Sequence, residues 1–463
     1  MSGLRLAEIL SAPARFRNVH FAGAGGIGMA GLARLLAAKG FRVSGCDAVA
    51  SPLLSRLAGE GLAMEAGHDP RHVAAADWAV FSPAVPADAP ERLAAAGKAF
   101  ARGDVLAAQC ALRETLAVGG THGKTTTAAM ALHVLRAAGI DPDWCIGAEI
   151  PSGGFPGGAG APAGTAFVVE ADESDGTLAD YRTRVAVATN VDADHLDHFG
   201  TIEALEACFA SFLAKSEHPL VCSSCPRATA LGKAVGAETF GFLATDAVRA
   251  EDASFSRAGT EYALFADGKR LGRFRLPLAG THQLLDALGA IAAAKAWGIA
   301  PERAAEALSD FRLPSRRLEK LAEAVGKVLF ADYAHHPKEI ASLMEGVRAM
   351  GFRRIWVVFQ PHRYTRTKAL AAGFPPAFAG AEKVWLLPVY AASEPPLAGG
   401  TSEDLARTWR AMAGVPDLAL ADKAQAAEEA ADATEEGDGL LLVGAGDVIA
   451  LAPAIAARWH ARR

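Results

Sequence analysis

The chain has little cysteine, few aromatic residues and no surplus of positive charge, and each shortage narrows what it can be. Its 463 residues include six cysteines, at positions 46, 110, 145, 208, 222 and 225, and only Cys222 and Cys225 stand in C-x-x-C spacing. No second pair and no neighbouring histidine cluster completes a zinc site, so the thiols read as idle side chains of a reducing compartment. Aromatic residues make up 7% of the chain, and alanine and glycine are favoured over bulky side chains, yet hydrophobic residues still reach 51% against 21% charged, the balance of a soluble globular protein. A formal charge of -6 argues against nucleic acid as the main partner, so anionic small ligands have to be met by local clusters. No apolar run is long enough to cross a bilayer, and the opening M-S-G-L-R-L-A-E-I-L has no apolar core followed by a small-residue cleavage site. No membrane partner and a cytoplasmic location are the expectation.

What is present is organised around phosphate. Residues 116–130 read L-A-V-G-G-T-H-G-K-T-T-T-A-A-M, an apolar run that ends in glycines and opens a helix. Gly119, Gly120 and Gly123 allow a tight turn whose amides face an anion, and the following helix adds the positive end of its dipole. Lys124 is placed for the outer phosphates and Thr125 for a magnesium ion. Val118 stands where a Walker loop has its first glycine, so this loop is one residue shorter than the general pattern. Upstream, N-V-H-F-A-G-A-G-G-I-G carries Gly23, Gly25 and Gly28 in G-x-G-x-x-G spacing after a short strand, with Asp47 about twenty residues on. That fingerprint selects a diphosphate on a helix N-terminus. NAD and a sugar nucleotide both supply one, so the cofactor stays open on this motif alone.

Further along, F-V-V-E delivers Glu170 at a strand end, where a phosphate loop finds its acidic partner for magnesium. The strand V-A-V-A-T-N-V leads to D-A-D-H-L-D-H, which crowds Asp192, Asp194, His195, Asp197 and His198 at one end. The glycine- and proline-rich residues 151–164 read as a surface loop. After a helix that starts near His282, Gln283 and Asp286, F-R-L-P-S-R-R-L-E marks a domain junction. Three more apolar strand ends follow, carrying His335, His362, Arg363 and Arg366, ligand-type residues where an open parallel sheet binds. The length asks for two to three domains, and the strand and helix alternation gives an α/β chain of three: a Rossmann-like domain at 1–114, a central P-loop ATPase-type domain at 115–312 and a second Rossmann-like domain at 313–463.

In this order, G-T-H-G-K-T-T-T, E-A-D-E-S-D, D-A-D-H-L-D, D-Y-A-H-H-P, F-Q-P-H-R-Y-T-R-T and the terminal G-A-G-D closely resemble the Mur ligase family, over nearly the whole chain from Val19 to about Asp447. H-R-Y-T-R-T after a strand resembles the alanine-adding branch in particular. The resemblance implies ATP-dependent joining of L-alanine to the lactyl carboxylate of UDP-N-acetylmuramate through an acyl phosphate, with ATP and Mg2+ as cofactors, in a monomer or weak homodimer. It implies that Gly120, Thr121, His122, Gly123, Lys124, Thr125 and Thr126 hold the ATP phosphates, that Thr125, Glu170 and His195 hold the metal, and that His282, Gln283 and Asp286 lie near the adenine. Asp332 would hold the ribose and Arg317 would reach the phosphates. Gly25, Gly26, Gly28 and Met29 would cradle the UDP diphosphate beside Asp47, His68, Ser82 and Arg102, while Tyr333, His335, His362, Arg363 and Arg366 would surround the lactyl carboxylate and the alanine. Either His198 or His335 would take the amine proton. Thr281, Gln283, Asp286 and Leu313 depart from the family pattern, which has arginine, asparagine, asparagine and glycine there. The competing readings are a ligase that adds a preformed tripeptide to the same sugar nucleotide, an NAD-dependent dehydrogenase, for which G-K-T-T has no use, and a non-catalytic nucleotide sensor.

Overall fold

The computed structural model describes residues 2–151, 155–161, 164–392 and 394–461, folded on three sheets. The first has the spatial order Ala63–Ala66, Arg42–Asp47, Asn18–Ala22, Trp78–Phe81, Ala99–Ala101, parallel throughout. Succession along the chain reverses between Asn18–Ala22 and Trp78–Phe81, so a crevice opens at their carboxyl ends, where Gly23 and Ser82 stand.

The second sheet has ten strands, in the order Lys269–Leu276, Gly259–Ala266, Val248–Ser256, Glu238–Gly241, Ser216–Cys222, Thr183–Ala188, Glu114–Gly119, Ala166–Glu170, Asp143–Cys145, Gly157–Gly158. Glu114–Gly119 lies between Thr183–Ala188 and Ala166–Glu170, parallel to both. The phosphate loop, Glu170 and the aspartate-rich turn therefore leave the sheet at the same edge. The third sheet runs Glu319–Ala324, Lys327–Asp332, Gly439–Val443, Ile355–Phe359, Lys383–Leu386, Asp417–Leu420, with only the first pair antiparallel. This is the three-domain α/β architecture that the strand and helix alternation implies. No helix among the described residues is long and apolar enough to cross a membrane.

The surface-loop reading of residues 151–164 needs correction. Positions 152–154, 162 and 163 lie outside the described residues, but Phe155, Gly157 and Gly158 are buried, and Gly157–Gly158 pairs antiparallel with Asp143–Cys145. A β-carbon at Gly157 would lie 2.4 Å from the Gly31 carbonyl oxygen, so this glycine serves close backbone packing on the helix Ile27–Ala38 rather than a free turn. Phe155 is held between the Arg34 and Arg56 guanidinium groups, 4.6 and 4.4 Å from its ring centre.

The residues group into two compact units, one of Met1–Ala253, Tyr262–Arg275 and Leu285–Arg312, the other of Ser254–Glu261, Leu276–Leu284 and Leu313–Arg463. In the first unit one apolar core runs from Val19, Phe21 and Leu32 through Leu106 to Phe167, Phe209 and Phe212, joining the first sheet to the second. In the second unit the period-two alternation of a strand splits the core. Ile355, Val357 and Phe359 face one cluster, Trp356 and Val358 the other.

Candidate active site

Glu114–Gly119 is a fully apolar central strand after its first two residues, and it hands the chain to Gly120 and Gly123, both at positive φ (137° and 81°). Gly123 caps the helix Lys124–Ala137 in the left-handed region that glycine adopts without strain. A side chain there would also meet Asp286 Oδ1 at 2.5 Å. Asp286 is buried and accepts the Thr127 hydroxyl at 3.0 Å, so it braces the underside of the loop. The loop backbone is tied down again by residues the sequence reading did not single out. Asn190 accepts the His122 amide at 2.8 Å and donates to the His122 carbonyl at 2.9 Å, and the Thr189 hydroxyl donates to the same carbonyl. Thr121 Oγ1 accepts the Asp192 amide at 2.9 Å. Thr126 is buried in the first turn of the helix.

Lys124 donates to Gly120 and Thr121 carbonyls and to both Glu173 oxygens, at 3.1 and 2.9 Å. Burial pulls its pKa down, but the charges of Glu173, Asp172 and Glu170 together outweigh burial and hold the ammonium above its ordinary pKa. Thr125 donates to Glu170 Oε1 at 2.9 Å, and Glu170 Oε2 accepts the Gly147 amide at 2.6 Å. His195, at φ 54°, stands with Nε2 3.9 Å from Glu173 Oε1. Lys124, Thr125, Glu170 and His195 are thus brought together, and Glu173 is the acid that sequence reasoning missed. It lies within E-A-D-E-S-D, three residues past Glu170, beyond the strand end where an acidic partner is looked for. The hydroxyl of Thr125 and the carboxylate of Glu170 are hard oxygen donors held together at the head of the helix, which fits a magnesium ion.

In the crevice of the first sheet, Asp47 accepts the Gly25 amide at 2.8 Å, and a β-carbon at Gly25 would lie 2.9 Å from Asp47 Oδ2. A β-carbon at Gly28 would come within 3.1 Å of Arg102 Nη1, and at Gly23 within 2.6 Å of Ser82. Gly26 opens the helix as its N-cap. Arg102 also bonds Asp172 at 3.2 Å, so Asp172 links this crevice to the neighbourhood of Lys124 within the first unit. Met29 is packed in the core and offers no side chain to the loop. His68 faces Glu91, with Nδ1 2.6 Å from Oε2.

The second unit carries its own cluster. Asp332 ends its strand and accepts the Leu318 and Ala334 amides at 2.7 and 2.8 Å, while burial pushes its pKa up. Arg317 lies 5.5 Å from the Tyr333 ring centre, and Arg316, also over that ring, donates to the Gly444 and Gly446 carbonyls and secures the terminal G-A-G-D. His335 contacts the Tyr333 and His362 rings at 5.4 and 5.8 Å, His362 stacks on Tyr390, and Arg366 reaches His362 Nδ1 at 3.3 Å. Arg363 holds φ 67° while donating its amide to the Tyr390 carbonyl. Burial lowers the pKa of His335, and that of His362 to about 4 through burial first and then His335, Arg366 and Arg363. Tyr390 was not foreseen, because a lone tyrosine after a strand carries no spacing signal. His282 and Gln283 touch each other in this unit at 3.1 Å, whereas Asp286 belongs to the first. His198 is exposed, and a β-carbon on Gly176 would lie 2.9 Å from its Nε2.

Family comparisons cover the chain in three parts: residues 18–108 match the model described as Mur ligase family, catalytic domain, residues 118–294 the Mur ligase middle domain, and residues 316–446 the Mur ligase, glutamate ligase domain. The chain is 42% identical over 457 residues to the UDP-N-acetylmuramate–L-alanine ligase of Kineococcus radiotolerans, covering 96% of each. It is 38% identical to the enzyme of the same name from Anaeromyxobacter dehalogenans, over 96% of this chain and 98% of that one. The crystal structure of the UDP-N-acetylmuramate–alanine ligase of Thermotoga maritima superposes with a TM-score of 0.80 at 26% identity, over 96% of this chain and all of that one. A murein peptide ligase from Psychrobacter arcticus shares the fold at a TM-score of 0.70 and 22% identity, over 96% of this chain and 98% of that one.

Proposed function

The chain belongs to the Mur ligase family, and from that premise we propose that it joins L-alanine to the lactyl carboxylate of UDP-N-acetylmuramate in an ATP-dependent ligation, a step of peptidoglycan precursor synthesis. The observation that carries this reading is the head of the helix Lys124–Ala137, where a half-buried lysine rests on Glu173 and Thr125 rests on Glu170. A carboxylate does not condense with an amine in water until its oxygen becomes a leaving group, and conversion to an acyl phosphate meets that need.

Gly120, Thr121, His122, Gly123, Lys124, Thr125 and Thr126 are assigned to the ATP phosphates, where the loop amides and the lysine stabilise charge already in position. Thr125, Glu170 and His195 are assigned to the magnesium ion, which when bound supplies neutralisation of phosphate charge. In the second unit, Arg317 and Asp332 are assigned to the nucleotide, together with His282 and Gln283, while Asp286 keeps its bracing place under the loop. Gly25, Gly26, Gly28, Met29 through its main chain, Asp47, His68, Ser82 and Arg102 are assigned to the sugar nucleotide. Tyr333, His335, His362, Arg363 and Arg366 are assigned to the lactyl carboxylate and alanine. Of the two histidines that could take the amine proton, His335 is held neutral by burial and faces this cluster, so it is the assigned base. The domain limits that go with these assignments are 1–114, 115–312 and 313–463.

The test is phosphate release from ATP measured with UDP-N-acetylmuramate and each acceptor in turn. Release should require both the sugar nucleotide and L-alanine. Release supported by the preformed tripeptide and not by L-alanine would replace this reading with that of the recycling ligase.

A further inference from the structure

On one face of the first sheet, next to His68 and one residue before Asp47, two histidines, a cysteine and a glutamate converge. His20 lies in Asn18–Ala22 and Cys46 in the adjacent Arg42–Asp47, where Ala22 pairs with Cys46 and His20 with Ser44, so strand alternation puts both side chains on the same side. His72 comes from the turn Pro70–Val73 and Glu91 from the start of Pro90–Ala94. His20, Cys46 and Glu91 are buried and His72 half-buried, and one donor atom from each lies within 4.8 Å of all the others.

The separations suit a shared ligand. His20 Nε2 is 3.4 Å from Cys46 Sγ, Cys46 Sγ is 3.2 Å from Glu91 Oε1, and Glu91 Oε1 is 2.9 Å from His72 Nδ1. Ligands bound tetrahedrally at zinc distances stand roughly 3.3–3.7 Å apart, so these three pairs lie within a few tenths of an ångström of that spacing, and the wider pairs, which reach at most 4.8 Å, have to close further. Three of the four ligands are also oriented from behind. His20 Nδ1 bonds Ser44 Oγ at 2.9 Å, His72 Nε2 faces Glu65 at 3.2 Å, and Glu91 Oε2 meets His68 Nδ1 at 2.6 Å. A second layer of this kind fixes imidazole tautomers and ligand direction in metal sites. Cys46 itself packs in an apolar cluster with Val73, Phe81, Val85 and Ala95. In the absence of an ion the Cys46 thiol donates to Glu91 Oε1, and a thiol among imidazoles and a carboxylate is a donor set of zinc.

We infer that His20, Cys46, His72 and Glu91 form a structural site for one zinc-class divalent cation, with Cys46 binding as the thiolate and its proton passing to solvent. Sequence spacing hides this site because its four ligands come from four separate elements. Its role is to lock Pro70–Val73 and Pro90–Ala94 onto the sheet beside the sugar-nucleotide crevice.

The test is a titration of the full-length chain, stripped with EDTA and held in excess magnesium, with cobalt(II) chloride. The expected result is one equivalent bound, with the visible bands of four-coordinate cobalt and an ultraviolet thiolate-to-cobalt band, both abolished by zinc. The thiolate band should vanish in Cys46→Ser and persist in the double variant Cys222→Ser/Cys225→Ser, and His72→Ala should weaken cobalt binding by at least about tenfold. Absence of the thiolate band in the unaltered chain overturns the inference whatever the variants do, and so does its survival in a Cys46→Ser chain of unchanged circular dichroism.

Discussion

At the scale of single residues, the proposed function turns on Lys124 and the carboxylate it rests on. Lys124→Ala should lower turnover by at least about a thousandfold, as loss of a preorganised charge on transferring phosphate does, while binding of UDP-N-acetylmuramate measured by calorimetry stays close to that of the unaltered chain. Glu173→Gln leaves a half-buried ammonium short of its buried counter-charge, and breaking such a pair costs about 3 kcal/mol, to be read from urea unfolding at pH 7. Two histidines of the second unit add a pH dependence. His282 and His362 titrate near 4 in the fold, chiefly through burial, against 6.5 for an ordinary histidine. Between those values the unfolded chain binds more protons than the folded one, so their contribution is complete above about 6.5 and is lost as pH falls toward 4. The urea midpoint reported by second-unit tryptophans should therefore drop between pH 7 and pH 5, and a midpoint constant over that range would contradict the burial of these rings.

At the scale of elements, close packing matters as much as turn geometry. Gly157→Val would push a side chain into the Gly31 backbone, and overpacking of this kind costs about 1–3 kcal/mol, measurable as a lowered midpoint of the first unit together with faster proteolysis near residue 155. Residues 151–164 show where sequence reading stops. Glycine and proline there signal a break in regular structure, but nothing local tells that Gly157 is small because Gly31 approaches it from a helix over a hundred positions away. The phosphate loop was legible because its parts are consecutive: glycines at positive φ, a lysine at the helix start and an apolar strand before it. Glu170 was legible as a strand-end acid. Glu173, Asn190 and Tyr390 were not, since each acts through a partner that only the folded sheet order supplies, and Met29, legible as a loop residue, turns its side chain into the core.

At the scale of the whole molecule, two units with separate cores should not melt as one. Of seven tryptophans, Trp78, Trp144 and Trp297 report on the first unit and Trp356, Trp385, Trp409 and Trp459 on the second. Urea unfolding followed by fluorescence and by circular dichroism should give non-coincident transitions, and superimposable curves would contradict independent cores. The first unit spans both glycine turns, so the nucleotide loop and the sugar-nucleotide crevice share one hydrophobic foundation. Within it, the Lys124–Glu173 pairing has a consequence for how the enzyme idles. On the proposed assignment of this loop to ATP, an incoming triphosphate would meet a lysine already paired with Glu173 and would have to displace that carboxylate. Part of the attraction for nucleotide would then be spent on that displacement, which would favour release of ADP over tight retention.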